Sequence, residues 1–232
     1  MPAPDVRAFA RAALPAPPAH VLEIGAGDGE LAAELRDAGY EVTAVDPAAP
    51  EGGGVQRVAL LEVQGTYDAA LAVVSLHHVE PLEASCAHLA TLVRPGGRLV
   101  IDEFDVARYD ERAAGWWLGQ RRAVGVGEER DAAGLIEFMR GHVHALGAIR
   151  EALAPYFELG EPVPGAYLYR WNLQPGLRPI EEELVAAGSL PATGARLIGT
   201  RCHSGEGPRM RTRTAPAPAR TRRPDRTRGP MR

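Results

Sequence analysis

Four short stretches of this chain hold side chains suited to chemistry. Glu23 stands before the loop Gly25-Ala26-Gly27-Asp28-Gly29, in which glycine recurs at every second position. Asp46 ends the apolar run Glu41 to Val45, Ser75-Leu76-His77-His78 follows the run Asp68 to Val74, and Asp102-Glu103-Phe104-Asp105 ends a further run. Glycines let such a loop turn sharply and let a ligand lie against the main chain, while the helix opening near Glu30 offers N–H groups to a carboxylate or phosphate. A carboxylate at position 46 is placed to accept both hydroxyls of a ribose. Glu23 adds negative charge close to the loop, which disfavours a pyrophosphate and suits a ligand bearing an ammonium or sulfonium.

Proton transfer near neutral pH is best matched by histidine, so His77 and His78 are the candidate bases, with Glu103 behind them. Asp102, Glu103 and Asp105 form a carboxylate cluster, but no matching ligands follow downstream; we read a solvated strand end and no metal. His142 and His144, two apart on a helix, point to different faces and make no metal pair. Trp116, Trp117 and His142 are candidates to line a substrate pocket, the tryptophans as broad surfaces for an aromatic or cationic acceptor.

Several elements must position these groups. His20 to Ile24 reads as a first strand, followed by a helix with Leu31, Ala32, Leu35 and Ala38 at helical spacing, Asp28 at its start and Gly39 at its end. Glu41 to Val45 is a second strand, Val55 to Val58 a weaker third, and Asp68 to Val74 a fourth buried on both faces. Glu80 to Val93 is a helix, and the turn Arg94-Pro95-Gly96-Gly97 feeds a fifth strand, Arg98 to Asp102. Arg108 to Val124 and Ala132 to Phe157 read as helical, with last strands at Val163 to Arg170 and Ala195 to Thr200. This alternation is that of a parallel sheet with crossover helices.

Composition narrows the function further. All 26 basic residues are arginine, which excludes lysine Schiff bases and a phosphate-loop lysine. Residues 203–232 hold nine arginines against Glu206 and Asp225; the net charge of −4 therefore divides into about +7 for this segment and about −11 for the rest. The segment is poor in large apolar residues and reads as a disordered basic tail, behind a single domain over 1–202. No run reaches the roughly 18 apolar residues of a membrane span, and Cys86 and Cys202 stand far apart, so the expectation is a cytoplasmic protein without membrane contact. The dinucleotide fingerprint needs a small residue where this chain has Glu30, which disfavours a nicotinamide or flavin cofactor.

Glu23-Ile-Gly25-Ala-Gly27-Asp-Gly29, Asp46, Tyr67-Asp68 with 69–75, and Leu92-Val-Arg-Pro95-Gly96-Gly97-Arg-Leu-Val-Ile101 together resemble, in order, the class I S-adenosylmethionine-dependent methyltransferases. The likeness is strong over residues 18–104. It implies a Rossmann-like α/β fold with a seven-stranded, mostly parallel sheet of order 3-2-1-4-5-7-6, strand 7 antiparallel, helices on both faces and a helical cover over about 105–157. It implies S-adenosylmethionine as cofactor, held by Glu23, Gly25, Ala26, Gly27, Gly29, Asp46, Pro47, Leu61 and Ser75. Many members have an acid after the third strand for the adenine amino group; here Glu62 in a shifted place, or backbone groups with the apolar wall of Leu60 and Leu61, must serve. The segment Ser75-Leu-His-His is unlike the N-P-P-Y-type sequence of nucleic-acid amino-methylating enzymes, and an acidic body repels phosphates, so nucleic acid is disfavoured. A small-molecule acceptor methylated at oxygen or nitrogen is the expectation, with a cofactor-binding protein of non-methylating or regulatory role as the alternative. Oligomeric state is left open.

Overall fold

A computed structural model describes residues 5–127, 130–174 and 176–203. Apart from His203, the basic tail lies outside the described residues. The elements run in chain order α1 (Val6–Ala13), β1 (His20–Ile24), α2 (Glu30–Asp37), β2 (Glu41–Val45), β3 (Tyr67–Val73), α3 (Leu82–Leu92), β4 (Val93–Phe104), α4 (Glu111–Ala123), α5 (Ala132–His142), α6 (Leu146–Leu153), β5 (Phe157–Leu159), β6 (Val163–Gly165), α7 (Leu177–Ala186) and β7 (Gly194–Arg201).

The strands form one sheet in the order β2-β1-β3-β4-β7-β5, with β6 also paired to β7. β1 to β4 are mutually parallel and β7 runs antiparallel to β4, as the resemblance implied. The third strand expected at 55–58 is reduced to one bridge, Val45 to Gln56. Gly52, Gly53 and Gly54 precede it with no side chains to pack, and the chain turns away at Leu60–Glu62. The expected last strand at 163–170 stops at Gly165, and Leu168–Arg170 is a 3-10 turn.

β3 explains why its sequence is a continuous apolar run. Ala69 and Leu71, with Val21 and Val100, face Ala10 of α1, Leu14 just after it and Leu35 of α2. Ala70 and Ala72, with Leu22, Leu99 and Ile101, face Leu89 of α3 and Ile149 and Leu153 of α6. Each fully buried leucine or isoleucine contributes about 1.5–3 kcal/mol, so the strands are pinned from both sides. The helix expected to reach Phe157 breaks into α5 and α6, and α6 packs on the sheet; the cover consists of α4 and α5. These close over Phe104, Tyr109, Tyr167 and Leu168 in a separate aromatic cluster. Among the described residues no helix is long and apolar enough to cross a membrane.

Candidate cofactor and active site

The carboxyl ends of β1, β2 and β3 open onto a cleft of 540 Å³ lined by Gly25, Asp46, Pro47, Leu61, Ser75 and His78, among others. A second hollow of 380 Å³ shares Gly25 and is lined by Glu23, Ala26, Gly27, Asp28 and Arg170, among others. The glycine loop is thus a ridge between two concavities, and a long ligand can lie across it.

Each glycine of the loop has its own reason. A Cβ on Gly25 would lie 2.3 Å from that of Ser75, so this position is bare because two loops meet there. Gly29 would strike Val55 at 2.7 Å, whereas a Cβ on Gly27 would meet nothing within 4 Å. Gly27 has φ +57°, a conformation that residues with side chains rarely adopt, and the space above it is open. Most of the loop's amides are engaged within the protein: Gly25 and Ala26 donate to the Val45 carbonyl, Gly27 to Asp46 Oδ2, Gly29 to the Ala26 carbonyl and Glu30 to Asp28 Oδ1. With those N–H groups spent within the protein, they offer no phosphate cradle.

Asp46 accepts from Gly27 N–H at 2.9 Å through one oxygen and from Ala48 N–H at 2.7 Å through the other. Each oxygen keeps a lone pair for a hydroxyl in the cleft. Glu62 is turned away: its Oε2 accepts the Ala59 N–H at 2.9 Å and caps its own turn. The wall there is apolar, formed by Val58, Leu60 and the half-exposed Leu61.

Glu23 is 3% exposed, yet its Oε2 has no hydrogen-bond partner. Burial raises its pKa to about 7, partly offset by the Arg36 charge and reinforced by Asp28. A buried carboxylate without a partner is costly unless a cation arrives, and the hollow beside it is where one can.

The two histidines differ sharply. His77 is 4% exposed and its Nδ1 lies 2.6 Å from Glu103 Oε2. Glu103, completely buried, also accepts the N–H groups of Ser75 at 2.8 Å and Leu76 at 2.6 Å, and it does not line the cleft. His78 does line the cleft; partial burial and the neighbouring His77 hold its pKa below the ordinary histidine value, against the pull of Glu103, so its ring is neutral and able to accept a proton at pH 7. Val74, just before, has φ +54°, rare for a β-branched residue. Its N–H is tied to the Asp102 carbonyl at 2.7 Å, and its side chain packs on the aromatic cluster while lining the cleft.

The carboxylate cluster is no solvated strand end. Asp102 is 2% exposed and takes both Arg170, at 2.9 and 3.1 Å, and Arg196, at 2.6 Å. The sequence could not show this, because both arginines arrive from the far end of the chain. Asp105 caps a 3-10 turn through the Ala107 N–H at 3.3 Å. Trp117 is a core residue whose indole N–H donates to the Trp171 carbonyl at 2.8 Å, and Trp116 packs on the same cluster. His142 is exposed at the end of α5, stacked on Phe138 with centroids 4.0 Å apart. None of these three lines either concavity. Sequence reasoning passed over Tyr169, Arg170 and Glu181. The dense run Tyr167-Leu-Tyr-Arg-Trp171 was their one signal.

The model of a methyltransferase-domain family matches residues 3–142. The chain belongs to this family. Its fold is that of the class I S-adenosylmethionine-dependent methyltransferases. An uncharacterized methyltransferase of Mycobacterium tuberculosis (strain H37Rv) is 37% identical over 99 residues, 37% of this chain and 40% of the relative. A second from the same organism is 35% identical over 98 residues, 36% of this chain and 50% of the relative. The matched stretch therefore spans half or less of these relatives. Among solved structures, an S-adenosylmethionine-dependent methyltransferase from Mesorhizobium loti shares the fold with a TM-score of 0.54 at 17% identity, covering 82% of this chain and 95% of that one. The N-methyltransferase NodS from Bradyrhizobium japonicum, solved with S-adenosylhomocysteine, does so at 0.50 and 14%, covering 85% of each. For these methyltransferases the likeness is one of fold.

Proposed function

We propose that this protein transfers a methyl group from S-adenosylmethionine to a nitrogen or oxygen of a small-molecule acceptor, within a single domain over residues 1–202. The observation that carries the reading is the buried, unpartnered carboxylate of Glu23 across the bare Gly25–Gly29 ridge from Asp46. A ligand with a cation at one end and a ribose at the other satisfies both.

Asp46 accepts the ribose hydroxyls, Pro47 and Leu61 cover the base, and Glu23 meets the ammonium. When bound, the cofactor supplies a methyl carbon made electrophilic by the sulfonium, open to in-line displacement by the acceptor's lone pair. The protein's main contribution is to hold that lone pair in line in a dry site. His78 takes the proton that a hydroxyl or ammonium acceptor must lose. His77 and Glu103 are positioning residues, fixing the loop 75–78 against Gly25.

Calorimetric titration with S-adenosylmethionine and S-adenosylhomocysteine, followed by labelled-methyl transfer to a metabolite extract, tests the reading. Binding of neither overturns it; binding without transfer to any metabolite leaves only a cofactor-binding role. With an acceptor in hand, His78→Ala should slow turnover roughly a hundredfold while leaving cofactor affinity nearly unchanged. Full activity would leave positioning alone as the mechanism.

A further inference from the structure

We infer that Arg170 is the residue that receives the carboxylate of the cofactor's amino-acid end, in the hollow it shares with Glu23. This rests on the proposed function and assigns a part of the site that the motifs of residues 18–104 do not contain.

An amino-acid head carries two charges, and in a part-buried hollow both need partners. Glu23 provides for the ammonium. Three arginines line the same hollow: Arg7, Arg170 and Arg178. Arg7 is 40% exposed and spans Glu30 at 3.2 Å and Glu34 at 3.0 Å along the surface of α2. Arg178 is paired with Glu182 one turn along α7, at 2.8 Å. Arg170 is the least exposed, at 18%, and the most rigidly held: its two terminal nitrogens meet the two oxygens of Asp102, and its Nε–H donates to the Tyr169 hydroxyl at 3.0 Å. Those contacts engage three of its five N–H groups and leave two.

Arg196 reaches the same Asp102 carboxylate at 2.6 Å, so Asp102 is held from two sides and in turn fixes Arg170. Glu23 and Arg170 line the same 380 Å³ hollow, and among the described residues neither an ion pair nor a hydrogen bond joins them. A fixed guanidinium loses little entropy on binding a carboxylate, which is why a held arginine recognises better than a free one.

The holder is Glu181. This residue of α7 is 0% exposed, and its carboxylate accepts three consecutive backbone N–H groups, Tyr167 at 2.8 Å, Leu168 at 2.9 Å and Tyr169 at 2.7 Å. Glu181 is thereby a positioning residue for Arg170, the next residue along. The family model ends at residue 142, before both the 167–170 turn and Glu181.

The test compares S-adenosylhomocysteine with its decarboxylated analogue, which keeps the ammonium, by calorimetry on the full chain. Wild type should bind the analogue at least tenfold more weakly, and Arg170→Gln should bind the two within about threefold of each other. Equal affinities in wild type, or undiminished discrimination in Arg170→Gln, overturn the assignment. Should Arg170→Gln not fold, Arg170→Lys keeps a cation beside Asp102 but cannot serve two carboxylates in the same geometry; it should lose several-fold of the discrimination, and full retention overturns the assignment. Failure of wild type to bind S-adenosylhomocysteine at all is a different result, and overturns the proposed function instead.

Discussion

Glu103 and Glu181 on one side and Glu23 on the other are buried almost equally, at 0%, 0% and 3% exposure, and serve opposite ends. The first two are saturated with backbone N–H groups and, for Glu103, a histidine. Glu23 has an oxygen with no partner. A saturated carboxylate holds a loop in one shape; an unsaturated one stores unfavourable energy that a cationic ligand relieves. The fold uses the first kind to fix the two loops, 75–78 and 167–170, that border the site, and the second kind inside it.

The comparison breaks most visibly if the clamps are removed. Glu103→Ala removes the acceptor of three buried N–H groups, those of Ser75, Leu76 and Phe104, and of His77 Nδ1, and Glu181→Ala that of three N–H groups. Each should lower unfolding stability by about 3–5 kcal/mol, read from urea denaturation midpoints. A loss below about 1 kcal/mol in either would show that its loop is fixed by packing instead.

Glu23→Gln should do the reverse. With the pKa raised to about 7, the native state keeps this proton through a range where the unfolded chain, titrating near 4.5, has released it. The native state therefore binds more protons between those values, and its stability falls as pH rises through them. At pH 8 the ionised carboxylate costs up to about 3 kcal/mol, a cost the neutral amide of the Glu23→Gln variant removes; near pH 4.5 wild type and variant should unfold together. Cofactor binding carries the opposite sign. A cationic ligand needs the ionised form, so affinity in wild type should fall up to tenfold for each pH unit below about 7, and Glu23→Gln should flatten that dependence. A variant less stable than wild type at pH 8 would contradict the account.

The same comparison explains what was legible in the sequence. The alternation of strands and helices and the loop after the first strand follow from local signals, period and glycine spacing, whereas strand order and the antiparallel last strand come with the resemblance that the motifs carry. Glu23 was readable because its chemistry depends on its place beside the glycines. Glu103 was legible as a carboxylate near the site but not as a clamp, because its role depends on bonds to residues 75–77 on another strand end. Asp102 was misread for a similar reason, since Arg170 and Arg196 meet it only when β7 pairs antiparallel with β4 and the 3-10 turn folds back. His142 and Trp117 had the right types for a pocket, but α4 and α5 turn them to solvent and to the aromatic cluster.

Asp46 lies between the two kinds, and its substitution is the finest test of the distinction. Its oxygens already hold Gly27 and Ala48, as a clamp does, but it lines the cleft, as a ligand-binding group does. If both roles are real, Asp46→Ala should weaken binding of S-adenosylmethionine by about 1–3 kcal/mol, the value of charged hydrogen bonds to a ribose. It should also lower stability, by about 1 kcal/mol and less than either buried clamp, because water can reach the amides it releases. Asp46→Asn separates the roles. One amide oxygen remains for a backbone N–H while the charge is gone, so stability should recover more than affinity does. Affinity recovering fully with stability would mean that the carboxylate shapes the loop and the ribose is held elsewhere; calorimetry and denaturation on the same two variants decide it.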